Sequence, residues 1–424
     1  MVRVGIFLIT AVLIMGMVGC APVQHDLTTS GTEGGEVTTP GEDTFTYNEG
    51  TVVDLVATPD AGYQFVKWTG DVDTIANVNA AITTITMDGD YSILANFGLE
   101  IWEIRDWRDL HAIRDDLSGP YVLMNDLDST AAGYTELASE TANGGMGWEP
   151  IGTSDDQFIG SFDGQGYEIK DLFINRPDED SAGLFGEIGQ EGITIDIGVV
   201  NVIVIGNDYV GGLVGHSDGT VSNSYSTGSV TGREHVGSLV GHNGGIVNNS
   251  YASGSVTGDS RVGGLVGWNQ ATLSNSYSSC SVTGNSSVGG LVGDNWYYES
   301  TVSNSHSTGS VTGGRWVGGL VGVNYYGSVT HSYSTGRVTG SSQIGGLVGY
   351  NTDTVSKSFW DTQTSGQATS DGGTGKITAQ MQDIATFSGA TWDIIAVANP
   401  SAPNPSYTWN IVDGYTYPFL SWQL

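Results

Sequence analysis

Six residues, Val-Gly-Gly-Leu-Val-Gly, recur through the second half of the chain. They stand at 210–215, 236–241 (with Ser238), 262–267, 288–293, 317–322 and, opening on isoleucine, 344–349. The successive steps are 26, 26, 26, 29 and 27, and a degenerate copy at 181–186 stands one further step ahead of the first full one. A second marker keeps step: Tyr225, Tyr251, Tyr277, His306, Tyr333 and Phe359 follow at 26, 26, 29, 27 and 26. Two independent markers in one register define a structural period, and a period of this length belongs to a solenoid. Within one unit the pattern predicts three short extended pieces, 210–215, 220–227 and 229–231, broken at Gly or Asn. Pieces this short bury no face alone, so each must hydrogen-bond to its counterpart one rung away. At roughly 4.8 Å per rung, seven units make a stack on the order of 35 Å long.

Stacking turns equal positions into ladders. Asn243, Asn269, Asn295, Asn324 and Asn351 share one position, with Ser217 in the first copy. Each amide there can bond to the next and satisfy the turn. The tyrosine series predicts a column of stacked rings, with His306 packed inside it rather than catalytic. Cys280 stands where other copies have Gly228, Gly254, Gly309 and Gly336, as a tolerated small residue.

These units resemble the GLUG motif of bacterial surface and secreted proteins, over roughly 150–424. Trp148-Glu-Pro-Ile-Gly152, Phe162-Asp-Gly-Gln-Gly166 and Tyr417-Pro-Phe-Leu-Ser-Trp422 add to the likeness. The resemblance implies a parallel β-helix. It names an architecture more than an activity, because the family includes very large proteases and adhesins. No His-Glu-x-x-His stretch occurs, so protease activity is not carried over.

The chain of 424 residues has room for two or three domains. Its 64 glycines and 14% charged residues suit a turn-dense β protein, and no collagen-like period accounts for the glycine. The net charge is −33, yet only 12 of the 46 acidic residues fall in 207–424, so the acidity lies ahead of the repeats. An acidic surface excludes nucleic acid and direct binding to anionic lipid as partners. Its role is solubility and mutual repulsion at a crowded surface.

Residues 1–19 read as a signal peptide. Arg3 precedes an apolar run, 6–15, too short to span a membrane as a mature helix. Met17-Val-Gly-Cys20 resembles the lipobox of bacterial lipoproteins, which implies lipidation of Cys20 and a tether to a membrane. Ala21 is not the aspartate that typically retains lipoproteins at a Gram-negative inner membrane. Cys280 then has no intramolecular partner.

Residues 20–43, rich in Thr, Gly and Glu, read as a flexible tether. A small β domain is expected over 44–98, where Tyr91, Ile93, Ala95 and Phe97 alternate with Ser92, Leu94 and Asn96. Asp88-Gly89 predicts a hairpin joining that strand to 82–87. Glu49-Gly-Thr51, Ala57-Thr-Pro59, Gly62-Tyr-Gln-Phe65, Trp68-Thr-Gly70 and Ala95-Asn-Phe97 resemble the divergent internalin B-type repeat, which implies a spacer or contact module. Over 101–120, Trp107, Leu110, Ile113 and Leu117 predict a short amphipathic helix with Asp106 as N-cap. It would plug the first rung of a β-helix spanning 121–375. Residues 376–424 leave the repeat and predict a lid over the far end, with a short helix at Ile377, Met381 and Ile384.

The expected fold is all-β: a right-handed parallel β-helix with a small N-terminal β domain and end caps. The best candidate ligand-binding residues lie in the turn after each repeat motif: Trp268, Trp296, Tyr297, Tyr298, Tyr325, Tyr326 and Tyr350. Three extra residues in the 288–316 unit fall at this turn, and period-breaking loops sit outside, often on the binding face. Such rings form a platform for sugars, or else they cover the turn and one another.

Catalysis is the weaker reading. The repeats carry few acids, although Glu234 and Asp259 fall in successive rungs beside Arg233 and Arg261. His216 and His242 share a position, but two exposed imidazoles without a carboxylate make a poor metal site. A Ser-x-Thr series (Ser229/Thr231, Ser255/Thr257, Ser281/Thr283, Ser310/Thr312) leaves an ice-binding face open. Calcium at Asp71/Asp73 or Asp88/Asp90 would lack a full oxygen shell. No cofactor is expected. Partners are surface glycans or proteins of host or neighbouring cells, with the membrane reached only through the lipid anchor. The protein is read as a surface-exposed adhesion or glycan-binding β-helix, with a polysaccharide-degrading enzyme or a structural envelope protein as alternatives.

Overall fold

The computed structural model describes residues 22–423, so the signal peptide and Cys20 lie outside the described residues. The chain divides into two compact units, one up to Glu100 and one from Ile101 onward.

The first unit is a sandwich of two small sheets. One has the order β3 (Thr44–Asn48), β1 (Gln24–Gly31), β7 (Tyr91–Leu99), β5 (Tyr63–Gly70). The other is β2 (Gly35–Thr39), β4 (Val52–Pro59), β6 (Ile82–Thr86). Leu27, Trp68, Ile93 and Ala95 from the first meet Val37, Leu55, Ala57 and Ile85 from the second in one buried core. Two expectations are corrected here. The segment read as a flexible tether supplies β1 and β2, with β1 paired to β3 on one side and parallel to β7 on the other. Its inward positions are Leu27, Thr29 and Val37, all at most 2% exposed, and the threonines hide the apolar period. The second correction concerns Asp88-Gly89. It does not close a hairpin, because β6 and β7 belong to different sheets and the turn carries the chain across the sandwich.

The second unit is a β-solenoid whose rungs pair in parallel through four sheets. One sheet runs Phe185–Ile188, Val214–Ser217, Val240–Asn243, Val266–Asn269, Val292–Trp296, Val321–Tyr325, Val348–Asn351, which marks seven stacked turns. The Val-Gly-Gly-Leu-Val-Gly motif is a corner, not a strand. One strand ends at Val210 (Gly237 and its equivalents in later rungs) and the next begins at Val214. The first glycine of the motif is needed because the rungs close tightly around that corner. A Cβ on Gly263 would stand 1.9 Å from the carbonyl oxygen of Val266. Valine and leucine of each corner point inward, as do Val221, Val247, Leu273, Val302 and Val329 of the next strand, all fully buried. The expected 220–227 piece is split by Asn223, whose φ is +49°, and Asn249, Asn275 and Asn304 repeat that left-handed bend. In the early rungs Tyr225–Thr231 and Tyr251–Thr257 run on as single strands.

The ladders form as the period implies. Hydrogen bonds of 2.7 Å, each from a side-chain Nδ2 to the next Oδ1, link Asn243, Asn269, Asn295, Asn324 and Asn351 in turn. The rings of Tyr225, Tyr251, Tyr277, His306 and Tyr333 stack at 4.7–5.0 Å with planes within 8°. A further ladder escaped the sequence reading. The backbone N–H of Ser224 donates to Ser250 Oγ, and Ser250, Ser276, Ser305 and Ser332 repeat the bond to the next rung.

At the first rung, helix α1 (Trp107–Ala112) starts at Asp106, whose carboxylate accepts from the Arg108 and Asp109 N–H groups. Trp107, Leu110 and Ile113 enter the solenoid core. The other end is a correction. The last rung is closed by residues 361–376, not by the lid expected over 376–424. Ser370 Oγ accepts from the N–H groups of Leu347 and Val348, and Asp371 takes that of Asn351. Residues beyond 376 fold back along the side of the solenoid. Their Met381, Phe387, Trp392 and Trp409 form a separate buried core with Tyr333 and Phe359, and Trp422 reaches Tyr277 and Tyr251. Trp392 and Trp409 pack against Tyr333, and Trp422 against Tyr277, so these rings bury their apolar area on the tyrosine ladder.

Candidate functional site

The seven candidate aromatics separate into two groups. Trp296, Tyr297 and Tyr298 follow the ladder Asn295 on the turn with three extra residues, and Tyr325-Tyr326 follow Asn324 one rung later. Trp296 pairs with Tyr325 in register, their centroids 4.6 Å apart. Tyr298 stacks on Tyr326 at 4.6 Å and 17°. Tyr326 packs edge-on to Tyr325 at 4.2 Å, their hydroxyls 3.2 Å apart. Tyr326 has a φ of +64°, which turns the chain back on itself there. The turn is tied down by Ser300, whose N–H and Oγ both donate to Tyr297 O. Trp296, Tyr297 and Tyr298 are 39%, 58% and 75% exposed. Rings so placed cover one another only in part and leave a raised aromatic patch on two neighbouring rungs.

Trp268 and Tyr350 lie elsewhere, one position before the asparagine. Their column is Glu187, His216, His242, Trp268, Asp294, Val323 and Tyr350. Beside it runs a second column that the sequence reading missed: Ser181, Tyr209, His235, Arg261, Ser287, Trp316 and Gln343. All seven have φ between +51° and +58°, a left-handed kink that costs about 1 kcal/mol in a non-glycine residue. The signal for this column was the position two residues before each Gly-Gly pair, which varies freely between copies that are otherwise nearly constant.

The two columns interleave. Tyr209 stacks on His235 at 4.6 Å, His216 on His242 at 4.4 Å, and His242 on Trp268 at 4.5 Å. Ring faces meet here, not ring nitrogens. Among the described residues no three metal-ligating side chains converge. His216 is not the bare imidazole expected. Its Nδ1 lies 3.0 Å from Glu187 Oε2 and its Nε2 3.3 Å from Asp218 Oδ1. Burial alone would lower the His216 pKa, but these carboxylates outweigh it and hold the pKa above its usual value. Its neighbours His242 and His235 are pushed down to about 3, first by burial and then by the positive charge of His216 and Arg261 respectively.

Charges finish this face. Arg261 donates to Glu234 and to the buried Asp294, at 2.9 and 3.1 Å. Burial of Asp294 outweighs that pairing and raises its pKa to about 6. Glu234 also takes Arg233 at 2.9 Å. Asp259 stays apart and accepts from Asn285 at 2.8 Å, so Glu234 and Asp259 form no acid pair. Beside Glu187 and Tyr209 opens a cleft of about 350 Å³, whose lining includes Glu149, Arg176, Glu179 and Asp180. Of the acids considered for calcium in the first unit, Asp71 accepts from the Ser92 N–H, Asp88 from the Tyr91 hydroxyl and Asp90 from the Asp26 N–H.

A stack of parallel rungs with one variable aromatic and charged face, joined in sequence to a small β-sandwich, is the class of protein this structure defines. Comparison with known proteins gives the repeats their family. Residues 25–100 match the divergent InlB B-repeat domain, and 206–231, 232–257, 284–312 and 313–339 match the GLUG motif. The copy carrying Cys280 falls between the matched stretches. A 111-residue stretch is 39% identical to halomucin of Haloquadratum walsbyi, covering 26% of this chain and 1% of halomucin. Another of 106 residues is 38% identical to a protein named as a Gly-rich membrane protein in Evansella cellulosilytica, covering 24% of this chain and 11% of that one. The chain therefore spans a small part of either relative. The solved structure of an IgA1 protease aligns over 81% of this chain and 27% of its own, with a TM-score of 0.37 and 13% identity. So loose a likeness bears on no activity.

Proposed function

We propose that this protein works at the cell envelope as a non-catalytic β-solenoid that binds extracellular glycans. The observation that carries the reading is the cluster of exposed Trp296, Tyr297, Tyr298 and Tyr326 with half-buried Tyr325, fixed on two adjacent rungs of a rigid stack. Sugar rings pack their C–H faces on such rings, and a rigid platform loses little entropy on binding. The solenoid itself needs none of these side chains for its core. An envelope location is supported by the relative named as a membrane protein, and a lipidated Cys20 would supply the anchor. The test is a glycan-array screen on residues 22–424, repeated with Trp296, Tyr297 and Tyr325 changed to alanine. Binding should disappear while the circular dichroism spectrum is unchanged, and retained binding would sink the proposal.

A second reading has one observation in its favour. Glu187, His216 and Asp218 bring an acid and a base into contact beside the acidic cleft, which is the kind of arrangement a polysaccharide-degrading β-helix would use. Release of reducing ends from a polysaccharide panel, lost in Glu187→Gln, would establish this reading over the first.

A further inference from the structure

Beneath the C-terminal segment the tyrosine ladder is interrupted by an imidazole, at His306. Tyr277 and Tyr333 stack on either side of its imidazole at 5.0 and 4.9 Å, with planes 8° and 1° away from parallel. An imidazole reaches less far from the backbone than a phenol, so the column is notched at this rung. The folded-back segment passes over the notch and does not fill it. A pocket of about 420 Å³ remains, floored by His306, Tyr333 and Thr308, and walled by Pro400, Tyr417, Pro418 and Phe419. Ser401, Thr416 and Gln423 complete its lining.

Three features define what fits. No Asp, Glu, Lys or Arg lines the pocket. Apolar atoms dominate its lining, unlike a sugar site with its many hydrogen-bonding groups. His306 and Tyr333 are each only 2% exposed, so the pocket meets little more than the rims of their rings. Burial keeps that imidazole uncharged down to acid pH. We infer that this pocket binds a small, uncharged aromatic molecule carrying one polar group, a phenol in the simplest case. The ring would lie among Tyr333, Tyr417 and Phe419, in the space left where the ladder has a shorter side chain. Its polar group would meet the hydroxyls of Thr308, Ser401 and Thr416. This site is separate from the exposed aromatic patch and does not depend on the glycan reading.

The full chain titrated with p-cresol, followed by saturation-transfer NMR, tests the assignment. Saturable binding is expected with a Kd on the order of 1 mM, as a ligand of about eight heavy atoms can reach. His306→Tyr gives the rung the residue its neighbours carry, so the fold should hold while p-cresol binding weakens at least tenfold. The His306 Cε1–H resonance should also move during the titration of the unsubstituted protein. Absent saturation in the unsubstituted protein, or equal affinity in a folded His306→Tyr variant, would overturn the proposal.

Discussion

The hydroxyl of Tyr417 donates to the buried carboxylate of Asp361 at 2.7 Å, which latches the folded-back C-terminal segment to the last rung. The same oxygen takes Thr378 Oγ1 at 2.7 Å, and the other oxygen takes the N–H groups of Gln363 and Thr364. Asp361→Ala strips four donors of their acceptor, and unsatisfied buried groups cost about 1–3 kcal/mol each. The expected outcome is local. Amide hydrogen exchange should speed up across 377–423 while the rungs before residue 300 keep their protection, because a solenoid is held by nearest-neighbour contacts. Uniform loss of protection would mean that the segment is integral to the stack.

Asn295 tests the asparagine ladder. It accepts from Asn269 and donates to Asn324, both at 2.7 Å, with no exposure. Asn351 ends the series half-buried, with one ladder bond. Asn295→Ala is expected to cost about 2 kcal/mol and Asn351→Ala less than half of that. Urea denaturation of the two variants checks the ranking.

Gly309 and Cys280 show how one rung dictates the next. Gly228 and Gly254 hold φ at +129° and +117° within unbroken strands. At Cys280 the strand splits into Tyr277–Ser278 and Ser281–Thr283, and the later rungs stay split. A Cβ on Gly309 would stand 1.8 Å from the Cys280 carbonyl oxygen, a backbone overlap that no rotamer relieves. Gly309→Ala should cost about 3 kcal/mol or more and Cys280→Ala about 1. Burial raises the Cys280 thiol pKa to about 11. A thiol reagent at neutral pH should therefore reach Cys280 only in unfolded chains, and faster in Gly309→Ala.

Much of the solenoid was legible in the sequence because its evidence is periodic. Asn243 to Asn351 and Tyr225 to Phe359 announce their own register, and because the two series keep step through the same longer units they have only one way to stack. What was not legible depends on facts the period does not carry. Thr29 is buried in a central strand, but threonine is read as readily as a loop or tether residue, so β1 was missed. Trp268 and Trp296 look equivalent as aromatics in the turn after the repeat motif. Two residues of offset, one before and one after the ladder asparagine, send them to different surroundings. The folding back of Trp392, Trp409 and Trp422 follows from the breadth of the tyrosine face, which exists only after the rungs have stacked. Glu187 and His216 meet for the same reason, standing one full period apart in the chain and adjacent across two rungs.

His306 makes the protein's acid tolerance a measure of its ladder. Rings of Tyr277, Tyr333 and Trp409 surround it, and burial pushes its pKa from 6.5 to about 3. An unfolded chain takes up the proton near pH 6.5, whereas the folded chain holds it off until about pH 3. The unfolded state therefore binds more protons through that window. The contribution to stability is fully present above pH 6.5 and is lost as pH falls toward 3. One proton's difference sets the slope of that loss at about 1.4 kcal/mol per pH unit. His242, lowered to about 3 by burial and by His216, acts with the same sign. The ladder tyrosines do not titrate in this range, so His306→Tyr removes one of these contributions without adding another. Urea midpoints measured from pH 7 to pH 4 should fall less steeply in that variant, by about one proton's worth. An unchanged slope would mean that the imidazole takes up its proton in the folded chain and that burial does not hold its pKa down.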